Sequence, residues 1–248
     1  LYKWIEGKKI KNISKIEVKN LIEFLIKIQT FRNKVDLSIF PKASEACFSL
    51  AEHQKLISLR LENILTSVNN LLYINNKLKN DIKNDLFKKI NFANDIHKDY
   101  LSIENFWDYE LDSNEKCISP SDVGFHNIIK VNKDLIYFDF EFSGIDDPCK
   151  LIADLMIQPD YSIPVNYVHI IKDFISLFNE KIPYFRIRLK AILDLYQIKW
   201  FCIILNPIIK SKNKLDNKAI LNLFNKSEGY FTRIEKQKFE LFNNLGLE

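Results

Sequence analysis

The chain has 248 residues, 47% of them hydrophobic and 27% charged, an ordinary balance for a globular protein long enough to bury a sizeable core. Its 36 basic and 32 acidic side chains leave a net charge of only +4, a mild excess spread along the sequence that gives no ground for a nucleic-acid partner. No run of 18 apolar residues is free of charge, the nearest (192–209) being broken by Asp194 and Lys199, so no membrane partner is expected. Cys47, Cys117, Cys149 and Cys202 are widely spaced, with no CxxC and no Cys/His cluster suited to zinc. Buried, reduced thiols in a cytoplasmic protein are expected. None of the five glycines falls in a GxGxxG or GxxxxGK[ST] phosphate loop.

Residues 1–7, LYKWIEG, read alone as a short amphipathic strand ending in a Gly turn. Ser14-Lys15-Ile16-Glu17 is a capping box, and Val18, Leu21, Ile22, Leu25 and Ile28 recur at helical spacing, which predicts a helix to about Arg32. After a loop with Pro41, a second helix is expected from about Ala43 through Val68, with Leu50, Ile57, Leu61 and Ile64 inside and Ser49/Glu52 as a further capping signal. Residues 75–81 are polar and read as a connection to a third helix marked by Ile82, Leu86, Ile90, Ala93 and Ile96. The acidic, aromatic stretch 103–116 is either a plain loop or the frame of a pocket for a cationic substrate. Asp147 and Pro148 suit the N-cap and first position of a helix whose apolar face is Leu151, Ile152, Leu155 and Met156. Residues 164–178 and 183–205 read as two more helices, each opened by Pro, and 214–241 as one or two charged terminal helices.

The chemistry concentrates in residues 119–148, SPSDVGFHNIIKVNKDLIYFDFEFSGIDDP. Asp122 and Asn127 stand five apart in a Gly-containing loop. Two apolar runs, Ile128–Val131 and 135–138, follow around the turn-like Asn132-Lys133-Asp134 and end on Asp139, with Glu141 two residues on. Phosphoryl transfer needs an Asp to take the proton of the attacking hydroxyl, and an Asn and a second Asp to hold Mg²⁺ on the nucleotide phosphates. The stretch resembles the aminoglycoside phosphotransferase and choline kinase group of small-molecule kinases, whose pattern is HGDxxxxN, a hairpin, then DxExxxxGDP. Asp122, Asn127, Asp139, Glu141, Asp147 and Pro148 match it. Pro120 stands where that pattern has His, Ser121 where it has the Gly before the base, and Asp146 where it has the Gly of the tail. His126 lies in the loop next to Asn127, and Gly144 lies two residues before Asp146.

The resemblance implies an α+β, mainly helical protein-kinase-like C-terminal lobe, with a small β-hairpin carrying the metal site. Residues 1–10 would be a hinge-like segment, with Trp4, Ile5 and Glu6 meeting the adenine of ATP, and 11–248 the helical lobe. With the hinge at residue 1, the N-terminal lobe would lie upstream and be absent from these residues, leaving the isolated chain weakly active or inactive. Asp122 is implied as catalytic base, Asn127 and Asp139 as Mg²⁺ ligands, and Glu141 as a contact to the substrate or a second metal. Asp154 either bonds back to the catalytic loop or is a solvated helix acid. The expected function is ATP-dependent transfer to a hydroxyl of a small-molecule acceptor: an aminoglycoside, a choline-like amine or a sugar. The alternative is a non-catalytic kinase-like module that binds a ligand or partner, which the Pro120 replacement favours.

Overall fold

The structure is a computed structural model that describes residues 5–32, 34–211 and 214–247. It is mainly helical, with seven α-helices and two small sheets among the described residues. The chain divides into two compact units, Leu1–Phe48 with Leu111–Leu189 and Glu240–Glu248, and Ser49–Glu110 with Lys190–Phe239.

In the first unit, α1 (Lys15–Arg32) starts where the capping box places it. The Ser14 N–H donates to Glu17 Oε2 at 3.0 Å, and Val18 N–H bonds Ser14 O at 3.1 Å. Its apolar face, Val18, Leu21, Ile22 and Leu25, is wholly buried. Truncating a leucine there to alanine costs about 2–5 kcal/mol. Strand β1 (Lys8–Lys9) pairs antiparallel with β3 (Ile128–Val131), which pairs antiparallel with β4 (Asp134–Tyr137). The hairpin turn needs only Asn132 and Lys133, and Asn132 takes the left-handed conformation, φ 55°, that Asn tolerates. The second run stops as a strand at Tyr137, so Asp139 lies two residues past its end.

A second sheet closes the central stretch on itself. Strand β2 (Cys117–Ser119) pairs antiparallel with β5 (Gly144–Asp146), setting Ser119 opposite Gly144. Residues 41–44 lie across β5: Ile145 N–H donates to Pro41 O at 2.8 Å, and Ala43 N–H to Ile145 O at 2.9 Å. A Cβ on Gly144 would stand 2.6 Å from the Ala43 backbone nitrogen and closer still to Pro41 O, which only glycine avoids. The Gln29 side chain of α1 serves the backbone of Ile118, donating to its carbonyl at 2.8 Å and accepting from its N–H at 3.1 Å. Helix α4 (Pro148–Ile157) follows β5 directly, capped by Asp147 through Cys149 N–H at 2.7 Å. Residues 164–178 do not form one α-helix: Val165–Ile171 winds as 3₁₀ before α5 (Lys172–Asn179).

In the second unit, α2 (Leu50–Asn69) begins later than its sequence pattern indicates. Ser49 caps it through Glu52 N–H at 3.1 Å, and residues 43–48 are turns, with Glu45 at φ 55°. Helix α3 (Asn76–Asp99) begins six residues before Ile82 because Asn75 accepts from Lys77 and Leu78 N–H at 2.9 and 3.3 Å. That capped first turn is polar, so the apolar period alone misses it. Helix α6 (Phe185–Lys210), which starts in the first unit and continues in the second, is long and apolar enough to cross a membrane by length and composition, yet 61% of its most apolar window is buried in the protein, as in a core helix. The last helix, α7 (Asn217–Leu245), is single. In the core of this unit the Lys89 ammonium lies 3.9 Å from the Phe231 ring centre and 3.2 Å from both Asp85 and Glu228.

Candidate active site

Ser119 leaves β2 fully buried, and its Oγ accepts from Ser121 N–H at 2.9 Å. Ser121 then turns the chain with φ 65°. This left-handed conformation explains why glycine suits the position before Asp122. Asp122 N–H bonds Pro120 O at 3.0 Å, and Asn127 N–H bonds Gly124 O at 3.0 Å. The loop thus folds the Asn127 side chain against the Asp122 main chain. Asn127 Nδ2 donates to the Asp122 carbonyl at 2.8 Å. With the nitrogen so engaged, Oδ1 is the atom left to meet a ligand.

The hairpin returns to the same place. Phe138 N–H donates to Asn127 O at 3.2 Å, which sets the end of β4 beside Asn127 and puts Asp139 one residue beyond. Asp139 is exposed at φ 67°, and neither it nor Glu141 has a hydrogen bond or ion pair among the described residues. The backbone of the Asp122–Asn127 loop and the end of β4 that leads into Asp139 thus run side by side at the mouth of one hairpin. Oxygen donors from an amide and a carboxylate suit a hard cation such as Mg²⁺. No group of three or more His, Cys, Asp or Glu side chains is arranged around a metal position among the described residues.

The hairpin is fastened to α1 at two points. Lys130 Nζ reaches Glu17 Oε1 at 2.8 Å, and the Tyr137 ring stacks on Phe24 with centroids 3.9 Å apart. Burial opposes ionisation of Glu17, but hydrogen bonds from Lys130 and Ser14 outweigh it and bring its pKa down to about 2. Behind the site two acids are fully buried. Asp146 pairs with Lys150 at 2.6 Å, and Asp147 with Arg188 through Nε at 3.0 Å and Nη2 at 2.6 Å, while Arg188 Nη2 also donates to Phe48 O at 2.9 Å. Burial pushes the Asp146 carboxyl up; it would push the Lys150 ammonium down, but the facing Asp146 holds it above its usual value. Sequence reasoning gave Lys150 and Arg188 no role. The four-residue spacing of Asp146 and Lys150 was no helical signal, because Asp146 ends β5 and the helix begins only at Pro148, and nothing local ties Asp147 to Arg188. Burial also raises the Cys117 and Cys149 thiols, so neither offers a thiolate nucleophile.

A cavity of about 750 Å³ adjoins the hairpin, lined by Ile5, Glu6, Gly7, Lys9, Ile129, Ile136 and Phe138. Ile129 and Ile136 are cross-strand partners, so the floor is the apolar face of β3 and β4. Two of the three residues expected to meet adenine, Ile5 and Glu6, are on its wall; Trp4 lies outside the described residues. Within the second unit, Trp107 and Asp108 of the acidic stretch line a separate cavity of about 380 Å³ with Gln54, Lys55, Ser58 and His97. Lys55 on its wall means that its charge is not purely acidic.

No protein-family model and no curated protein matches the sequence. Among the solved structures that share the fold are the following two. One is spectinomycin phosphotransferase, APH(9)-Ia, in complex with ADP and spectinomycin, with a TM-score of 0.52 and 14% identity over 94% of this chain and 65% of that one. The other is choline kinase from Cryptosporidium parvum Iowa II, with a TM-score of 0.51 and 16% identity over 98% of this chain and 71% of that one. The protein has an aminoglycoside phosphotransferase- and choline kinase-like fold. It spans about two thirds of the length of these neighbours, 65% and 71%.

Proposed function

We propose that the protein is a phosphotransferase that moves the γ-phosphoryl group of ATP to a hydroxyl of a small molecule. The observation that carries this reading is the convergence of the Asp122–Asn127 loop and the Asp139 hairpin end beside an apolar cavity walled by Ile5 and Glu6. Adenine would lie on Ile129 and Ile136, with the 5–7 backbone at its edge, directing the phosphates toward Asn127 and Asp139. Asp122 orients the acceptor hydroxyl and takes its proton as that oxygen bonds the γ-phosphorus and the bridging oxygen leaves with ADP. Asn127 Oδ1 and Asp139 would hold Mg²⁺, which when bound neutralises charge on the phosphates. Glu141, two residues from Asp139, would contact the acceptor or a second ion. The names of the structural neighbours make an aminoglycoside-like or choline-like hydroxyl compound the first acceptors to try, and Mg-ATP with spectinomycin or choline is the assay.

Kinetics of two variants test the roles. Asp122→Asn is expected to lower kcat by roughly 10²–10⁴ while leaving the Mg²⁺ requirement unchanged. Asp139→Asn is expected to raise the Mg²⁺ requirement as well as slow turnover. Reversed effects would exchange the assignments, and full activity in both would place the chemistry elsewhere. A binding module without catalysis is the second reading, favoured by Pro120 in place of the expected His. It predicts nucleotide or ligand binding with no transfer in any variant.

A further inference from the structure

His126 touches the proposed base. Its Nε2 lies 3.1 Å from Asp122 Oδ2, and its ring packs against Tyr161 with centroids 4.9 Å apart. An ionised carboxylate only accepts hydrogen bonds, so Nε2 is the donor in this contact. Nδ1 is buried without a hydrogen-bond partner among the described residues. Room for this arrangement comes from Gly124. A Cβ there would overlap the imidazole at Nδ1 and Cε1 and stand 2.6 Å from Gln158 Oε1. The loop is therefore shaped to fold His126 back over itself onto Asp122, and the bond leaves the carboxylate accessible, its side chain 48% exposed against 27% for the histidine.

Resting on the phosphotransferase reading, we infer that His126 is a positioning residue for Asp122: its Nε2–H fixes the rotation of the carboxylate that receives the acceptor proton. It supplies from within the loop a brace where Pro120 offers no side-chain donor. A hydrogen bond to a charged group, lost from a base that must be aligned, corresponds to roughly 10- to 100-fold in kcat.

Three substitutions separate this role from simple packing. The amide nitrogen of glutamine falls near the place of Nε2, that of asparagine near Nδ1, and leucine has no donor. In transfer from Mg-ATP, His126→Leu and His126→Asn should lose about 10- to 100-fold in kcat with KM for Mg-ATP little changed, and His126→Gln should recover most of the loss. Independently of activity, two-bond ¹H–¹⁵N correlation spectra of the neutral imidazole should show the Nε2–H tautomer in the wild type and a mixture in Asp122→Ala. An Nδ1–H tautomer in the wild type overturns the inference. So does a His126→Leu variant at the wild-type rate while Asp122→Asn is crippled, which leaves the phosphotransferase reading standing. Undiminished transfer in Asp122→Asn sinks that reading and this inference with it.

Discussion

Two residues of the candidate site hold left-handed backbone conformations without being glycine, Ser121 at φ 65° and Asp139 at φ 67°. Such a conformation costs most residues about 1–2 kcal/mol and is retained where neighbours over-determine it. At Ser121 the surroundings are legible, since its N–H is held by Ser119 Oγ and the next N–H by Pro120 O. Ser121→Gly is expected to change stability by no more than about 0.5 kcal/mol, relief of strain offsetting the freer unfolded chain. A β-branched Ser121→Val should cost about 1–2 kcal/mol or more. Urea denaturation of both variants measures this, and equal stability of the two would mean that the turn is not left-handed. The left-handed geometry itself was not legible in the sequence, because Ser carries no signal for positive φ. Only the glycine of the resembling pattern pointed there. The reach of His126 back to Asp122 was equally hidden, since a four-residue spacing inside an irregular loop fixes no common face as it does in a helix.

At the scale of elements, the hairpin carries the proposed chemistry and α1 holds it in place through Glu17–Lys130 and Phe24–Tyr137. Glu17 also closes the α1 capping box, so its charge serves helix and hairpin together. Its folded pKa of about 2 lies below the ordinary 4.5. For a depressed acid the stabilisation is fully present above the unfolded value and is lost as pH falls toward the folded one. Glu17 should therefore contribute a loss of stability between about pH 4.5 and pH 2. Glu17→Gln should lower stability at neutral pH and flatten that acid slope, which thermal unfolding across pH would show; an unchanged slope would remove Glu17 from the account. Elements with a local punctuation mark were readable from sequence: the Ser14 box, the Ile128–Val131 strand, the Asp147-Pro148 helix start. Those set by distant partners were not. The turns at 43–48 take their hydrogen bonds in part from β5, and the polar first turn of α3 is fixed by Asn75 rather than by any apolar period.

For the molecule as a whole, thirty residues carried the resemblance, and the fold likeness covers nearly all of the chain at only 14–16% identity. Burial pattern and helix order can persist at such identity because volume and periodicity are enough to specify a core. The division into two units was not readable, since one boundary falls inside α6, between Leu189 and Lys190, where no linker composition marks it. The buried Asp147–Arg188 pair was out of reach for the same reason, its partners standing 41 positions apart in sequence. The central claim, that the cavity beside the hairpin takes ATP and that Asp139 supplies its metal, is tested most directly by nuclear magnetic resonance. ATP would be added with and without Mg²⁺ to the wild type and to Asp139→Asn. The isoleucine methyls of Ile5, Ile129 and Ile136 should shift in both proteins, with Mg²⁺ strengthening binding and moving the Asn127 side-chain amide in the wild type alone. Unshifted cavity methyls, or an Mg²⁺ effect that survives intact in Asp139→Asn, would contradict it.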